Sequence, residues 1–463
     1  MKPAAYARLL GTFDATMIVA GSMIGSGIFI VSADIARTVG DAGWLLFVWA
    51  ATAYMTIVAA RCYAELATMF PHAGGQYVFL REAFGPLAGF LYGWTLFLVI
   101  QTGTIAAVAV AFAKFLAVLV PALGSAPPVA AIAGFEVSAQ QAVAVAVIAL
   151  LTAANSSGLR TGKTIQNVFT VAKVAALLGL IGLGLAPGLD GAVVAENLAH
   201  AFTSPAAGGL LTGLGAAMVG SLFSADAWNN VTFTAAEVRN PERAVPRALL
   251  VGTALVVGLY FLTNVSYLAV LPVSGSPDGA TATARGIAYA AGDRVATAVA
   301  QQVLGARGAS LMAALIMVST FGCVNGLVLT GPRLYHAMAE GGLFFRGSAV
   351  LNARGVPARA LFLQGVWSSL LALSGRYGEL LDYVIATALL FYALTVVGLL
   401  RLRRRAGVAA SPWIPLSYVV LAILICADLL VVKPEYTWPG FAIVAAGLPV
   451  YALWRRRSLP SAP

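Results

Sequence analysis

The chain has 463 residues, of which 60% are hydrophobic and only 10% charged, and its mean hydropathy is +0.88. Too little polar surface remains to cover a soluble globule, which places the chain in lipid. The net charge of +10 sits in short basic clusters between apolar runs, so it marks membrane topology and gives no ground for a nucleic-acid partner.

Lys2 and Arg8 precede the first apolar run, which superficially resembles a signal peptide. The run 15–33 is too long for a signal core and has no convincing small-residue cleavage site, so it reads as a retained first helix. A membrane-spanning helix needs about 20 mostly apolar residues. Windows free of Asp, Glu, Lys and Arg run over 15–33, 42–60, 83–113, 137–159, 201–225, 248–272, 309–332, 360–375, 383–400, 406–427 and 436–454. A further window, 164–186, is apolar apart from Lys173. The expected fold is therefore an all-α membrane protein of about 12 transmembrane helices in one domain, 1–463. Within it the reading assigns a first five-helix repeat over 13–186, an inverted second over 201–405 and two additional helices over 406–463.

Loop charges test the count. With an even number of spans both termini share a side, and that side receives twenty Lys and Arg against seven on the other, with Lys173 inside the membrane. Arg61, Arg333 and the cluster Arg401, Arg403, Arg404 and Arg405 count among the twenty. The positive-inside rule puts both termini in the cytoplasm, in a multi-pass protein of the inner membrane. The gap 273–307 is the longest between spans, and short helical lid and simple connector are equal readings of it. Cys62, Cys323 and Cys426 lie in apolar segments and read as small core residues, with no metal or cofactor implied. Glu65, four residues after Arg61, reads as an i,i+4 ion pair.

Two spans carry polar or glycine-rich midpoints, at corresponding places in the two halves. In the first, Gly21, Gly25 and Gly27 alternate with Ser22, Met23, Ile24 and Ser26. An unwound segment fits this run, because each interior glycine costs a helix roughly 1 kcal/mol, although Gly21 and Gly25 also satisfy a GxxxG packing face. In the sixth, Phe223, Ser224, Asp226, Trp228 and Asn229 interrupt an apolar span. Asp226 at this depth costs about 2.5 kcal/mol or more unless paired or wet, and a cap on the second half-helix is its favoured role over direct substrate contact. Paired midspan breaks point to the binding site of a secondary transporter. Free carbonyls at one half-helix end attract a cation and free N–H groups at the other attract an anion, a combination that a zwitterionic α-amino acid satisfies. Lys173 lies about ten residues, or roughly 15 Å, into the fifth span. It reads either as a fixed ammonium donating to carbonyls of the broken first helix or as a lysine whose desolvation lets it carry a coupling proton.

At these residues the chain resembles the amino acid/polyamine/organocation superfamily, and within it the prokaryotic relatives of the L-type amino acid transporters. The matching stretches are 23–29, 62–66, 72–77, 165–173, Trp228–Asn229 with Ala236–Glu237, 321–326 and 447–451. The resemblance implies sodium-independent transport of L-amino acids, as permease or exchanger. It assigns Ser26 and Gly27 to the substrate carboxylate, the carbonyls of Met23 and Phe223 to its ammonium, and Lys173 to the place of a sodium ion. Ile24, Gly25, Gln101, Thr102, Ser224, Asp226, Asn229 and the segment Tyr383 to Tyr392 complete the candidate pocket. Asp226–Ala227 stand where animal light chains have paired glycines, and 117–140 holds no cysteine, so no disulfide-linked heavy chain is expected; substrate and lipid are the only partners implied. The competing readings are a carrier of polyamines or other small amines, a channel, and a membrane-embedded enzyme. Against the enzyme, His72, His200 and His336 are scattered and no HExxH, Walker A or nucleophile-elbow motif is present.

Overall fold

In a computed structural model the described residues are 6–125, 127–132, 135–186, 191–203, 210–374 and 377–458. The first span is α1 (Thr12–Met23), a 3-10 turn (Gly27–Phe29) and α2 (Ser32–Val39). Next come α3 (Ala42–Met69), α4 (Gln76–Phe84), and α5 (Pro86–Thr95) continued through a π turn into α6 (Gln101–Leu119). After α7 (Ala122–Ser125), a two-strand hairpin pairs Ala130 with Val137, and an isolated bridge joins Leu10 to Val238; among the described residues the chain is otherwise built of helices and their connections. Then follow α8 (Ala139–Ser156), α9 (Leu159–Gly184) and α10 (Gly191–Ala199), which lies between the windows 164–186 and 201–225. The sixth span is α11 (Leu210–Ser224) and a 3-10 segment (Trp228–Glu237). The rest are α12 (Pro241–Val270), α13 (Ala282–Arg285), α14 (Val295–Leu304), α15 (Ala306–Glu340), α16 (Ala358–Ser374), α17 (Tyr377–Arg405), α18 (Trp413–Val432) and α19 (Pro434–Ser458).

Among the described residues nine helices are long and apolar enough to cross a membrane. The remaining three of the expected twelve spans are the two interrupted ones and α16, which has 17 residues. Local chemistry sets the ends. Asp41 caps α3 by accepting from the Trp44 N–H at 2.8 Å, and Gly40 closes α2 at φ 74°. α18 begins only at Trp413, because Gly407 (φ 68°) and Pro412 end the run that began at 406. The gap 273–307 folds into α13 and α14, the helical alternative for that segment.

α1 is enclosed by α9, α12 and α15, while α12 runs along α3 and α15 along α6. Apolar side chains such as Val168, Leu178, Phe362, Leu424 and Leu453 remain exposed on the outside of the bundle, as lipid contact requires. Two charge assignments change. Glu65 pairs with Arg403 of α17 and not with Arg61, because α3 and α17 pack together and bring a fork-shaped guanidinium to the carboxylate. Arg333 is not a loop charge: α15 continues past it to Glu340, and its side chain is 1% exposed against a Glu237 that is 2% exposed. The Arg333 Nε and Nη2 donate to Glu237 at 2.9 and 3.1 Å, and Nη1 donates to the Leu329 carbonyl. The Glu237 carbonyl accepts from the Leu10 N–H at 2.9 Å, and the Leu10 carbonyl accepts from the Arg239 N–H at 2.8 Å. Leu10 and the end of the sixth span are thereby tied to α15.

Removing one partner of a buried ion pair costs about 3–5 kcal/mol, whereas replacing both by apolar groups is often neutral. Glu237→Ala is therefore expected to lower the thermal unfolding midpoint of the detergent-purified protein sharply, and Glu237→Leu with Arg333→Met to recover most of the loss. Equal midpoints for Glu237→Ala and the parent would contradict the pairing.

Candidate substrate site

α1 stops at Met23 because Ile24 turns extended (φ −75°, ψ 93°). The helix resumes only as the short turn whose Ser26 carbonyl accepts from the Phe29 N–H at 3.1 Å. The carbonyls on either side of the break are received one by one by side chains. Lys173 Nζ donates to Gly21 O at 2.8 Å and to Ile24 O at 2.7 Å. Cys323 Sγ donates to Ser22 O at 3.0 Å, the Tyr260 hydroxyl to Met23 O at 3.0 Å, and Ser319 Oγ to Gly25 O at 2.9 Å. Both readings of the glycine run hold in part. Gly21 packs so tightly on α9 that a Cβ there would meet Gln166 Nε2 at 2.0 Å, while Gly25 faces Cys323 of α15, so the two glycines serve different neighbours.

The sixth span breaks after Ser224. Ala227 adopts the left-handed conformation at φ 65° and is itself the residue that caps the 3-10 segment, a costly state for a residue with a Cβ. Asp226 is thus not the helix cap expected for it. The turn at Ala227 sends its carboxylate toward α17, where Oδ1 accepts from the Tyr392 hydroxyl at 2.6 Å. The two breaks touch. A Cβ on Gly27 would lie 2.1 Å from Ser224 Oγ, and the Tyr260 hydroxyl is 3.1 Å from Ser224 O as well as 3.0 Å from Met23 O.

Met23, Ile24, Gly25, Ser26, Gly27, Lys173, Phe223, Ser224 and Asp226 are therefore gathered at the two breaks, and all are buried. Gln101, Thr102 and Asn229 are buried too, but their side chains bond elsewhere. Gln101 Nε2 donates to Leu327 O at 2.8 Å, and its Oε1 accepts from Asn230 Nδ2 at 3.4 Å. Thr102 Oγ1 donates back to Phe97 O in the preceding π turn, and Asn229 Nδ2 donates to Gln76 Oε1 at 2.9 Å. These form a second polar layer nearer the ion pair of Arg333. Tyr392 lies by Asp226, while the Tyr383 side chain is outside the described residues. A cavity of about 20 Å³, room for about one water, lies beside the break of the sixth span and is lined by Asp226, Trp228, Ala388, Tyr392 and Tyr418. Sequence reasoning missed Tyr260, Ser319 and the role of Cys323. The spacing of Tyr260, Asn264 and Tyr267 on α12 was a legible signal, since i, i+4 and i+7 form one polar stripe in an apolar span. Asn264 Oδ1 accepts from Ser32 Oγ at 2.6 Å, and the Tyr267 hydroxyl donates to Ile28 O at 3.1 Å. No cluster of metal-ligating side chains occurs among the described residues.

A family profile described as amino acid permease matches residues 10–447. The chain belongs to the amino acid permease family. The resemblance to the amino acid/polyamine/organocation superfamily is thereby borne out, and the permease is a multi-pass membrane protein of a transporter family, not an enzyme. It is 29% identical to the mouse b(0,+)-type amino acid transporter 1 over 95% of its own length and 85% of that protein's. It is 31% identical to the human large neutral amino acids transporter small subunit 2 over 96% and 80%, and 29% identical to the human Asc-type amino acid transporter 1 over 97% and 83%.

The contact between Gly27 and Ser224 gives a direct check. Gly27→Ala forces a Cβ against Ser224 and is expected to separate the breaks, lowering both thermal stability and substrate binding; overpacking of this kind costs about 1–3 kcal/mol. Ser224→Gly in the same chain removes the obstructing Oγ and Cβ and is expected to restore part of both, read by thermal shift with and without amino acid. Additive losses in the double variant would contradict the contact.

Proposed function

We propose that the permease is a sodium-independent secondary transporter of L-amino acids that alternates access by rearranging the broken first and sixth spans. Both termini lie in the cytoplasm of a cell whose inner membrane holds the protein, and the repeats are 13–186 and 201–405. The observation that carries the proposal is the Lys173 ammonium, fully buried and within 2.8 Å of two carbonyls released by the first break. A sodium ion in that pocket would need those same oxygens and would meet a fixed positive charge. The family membership and the three relatives, each named as an amino acid transporter, supply the substrate class. Ser26 and Gly27 begin the turn after the break, where backbone N–H groups and the helix dipole suit a carboxylate. The Met23 carbonyl suits the substrate ammonium once the Tyr260 hydroxyl gives it up. No disulfide-linked heavy chain is part of the proposal.

A second reading, transport of small amines, is favoured by one observation: Asp226 is a buried carboxylate beside Trp228 that accepts from a neutral hydroxyl, that of Tyr392.

Uptake of L-leucine into proteoliposomes at constant pH is expected to be unchanged when sodium is replaced by potassium or choline, and a saturable sodium requirement would overturn the coupling. Leucinamide, which lacks the carboxylate, is expected to compete far more weakly than L-leucine, because it leaves backbone donors unpaired in a dry site. If leucinamide or putrescine competes as well as L-leucine, the amine reading replaces this one.

A further inference from the structure

A cavity distinct from the breaks lies at the end of the first span that carries Arg37, away from Leu10. It encloses about 190 Å³ and is lined by Val118, Thr281, Arg285, Arg294, Thr297 and Gln301, among others. That is about six waters' share of liquid volume, at ~30 Å³ each, which leaves room for one small amino acid. Both arginines are held from one side only. Arg285 Nε donates to Gly279 O at 2.6 Å, Arg294 Nε donates to Ala291 O at 3.2 Å, and among the described residues neither forms an ion pair. The nearby acid, Asp293, is already taken by Arg37 of α2 at 2.6 Å. Arg294 directly precedes α14, whose first turn has no side-chain cap, so its backbone donors and dipole add to the two guanidiniums. Thr297, in that same turn, is 8% exposed, and its hydroxyl is buried without a hydrogen-bond partner. A buried unpartnered hydroxyl costs free energy unless a ligand completes it.

We propose that Arg285, Arg294, Thr297 and the first turn of α14 form an oxyanion subsite that receives the carboxylate of an amino acid before it reaches the broken helices. The assignment of a carboxylate ligand rests on the amino acid reading above. Two planar guanidiniums suit a carboxylate's two oxygens, and the site needs no ammonium acceptor, unlike the pair of breaks. Its position links it to them: α14 packs against the Gly27–Phe29 turn, and Arg37 ties α2 to the loop through both Asp293 and the Ala288 carbonyl, the latter at 2.7 Å. An occupant of the cavity therefore sits on the structure that follows the first break.

The probe is 4-methylpentanoate, which has the carboxylate and side chain of leucine and no ammonium, followed by saturation-transfer NMR on the full chain in phosphatidylcholine nanodiscs. The parent protein is expected to bind it, and its uncharged amide not at all. Arg285→Gln with Arg294→Gln is expected to weaken binding by about tenfold or more, the size of one lost charge-assisted hydrogen bond. Thr297→Val, which keeps the shape of the side chain, is expected to weaken it less. In proteoliposomes the double variant is expected to raise the KM for L-leucine entering from the α14 face, with Vmax and transport from the opposite face unchanged. Binding that ignores all three substitutions would overturn the subsite. Displacement of the probe by phosphatidylglycerol but not by L-leucine would overturn it in favour of a lipid phosphate. Arginine-dependent binding with an unchanged KM would overturn the role in entry. A parent protein that binds the probe through these arginines yet moves no L-leucine would count against the transport reading and leave the subsite standing.

Discussion

Five consecutive backbone carbonyls, from Gly21 to Gly25, accept hydrogen bonds from side chains of three other helices at the first break. In lipid no water is at hand for a released carbonyl, and leaving one unpaired costs several kcal/mol. A helix can therefore be interrupted at midspan only where neighbours supply a donor for each freed acceptor. Lys173 from α9, Tyr260 from α12, and Ser319 and Cys323 from α15 do so. The rest of the site depends on that set, because it holds the N-terminal end of the following turn in place next to Ser224.

The same set gives the break two possible arrangements. In the proposed function a substrate ammonium would compete with the Tyr260 hydroxyl for the Met23 carbonyl, so binding would redistribute donors among acceptors that are already satisfied. Little net free energy is lost in such an exchange. The layer of Gln76, Gln101, Asn229 and Asn230, and beyond it the Arg333 and Glu237 pair, stands between the breaks and Leu10, which bonds to Glu237. Under the proposed alternation, opening on that side would require the Trp228–Glu237 segment and residues 8–10, which are bonded to each other, to leave α15 together.

Much of this was legible in the sequence because membrane depth amplifies local signals. Runs of about 20 apolar residues delimit spans regardless of their partners. Glycines and serines from Gly21 to Gly27 cannot make a good helix alone, and a lysine at position 173 needs an interior partner. What was not legible concerns direction and distance along the chain. Asp226 was expected to cap its own helix. The left-handed turn at Ala227 sends it to Tyr392 instead, and no local periodicity encodes that turn. Arg333 looked like one more loop charge, since its partner lies 96 residues away. Gln101 points to a second layer because the π turn at Leu96–Ile100 shifts the facing of α6 after it, and Asn229 does so because it follows the left-handed turn at Ala227 in a 3-10 segment. Ser319 was invisible for a simpler reason: a serine in a small-residue span is ordinarily packing.

Lys173 is where the account is most exposed, because one side chain is said to complete the break and to exclude a sodium ion. Each charged hydrogen bond it makes is worth about 1.5–3 kcal/mol, so losing two removes tenfold or more in the population of the closed break. The decisive measurement is initial exchange of L-leucine by Lys173→Ala and Lys173→Arg in proteoliposomes, alongside thermal unfolding of the same preparations. The account predicts that both variants insert and remain folded. Exchange should fall by about an order of magnitude or more in the alanine variant, with poor rescue by arginine, whose planar fork cannot take the place of a compact ammonium between two carbonyls. Parental exchange rates in a well-folded Lys173→Ala protein would contradict it.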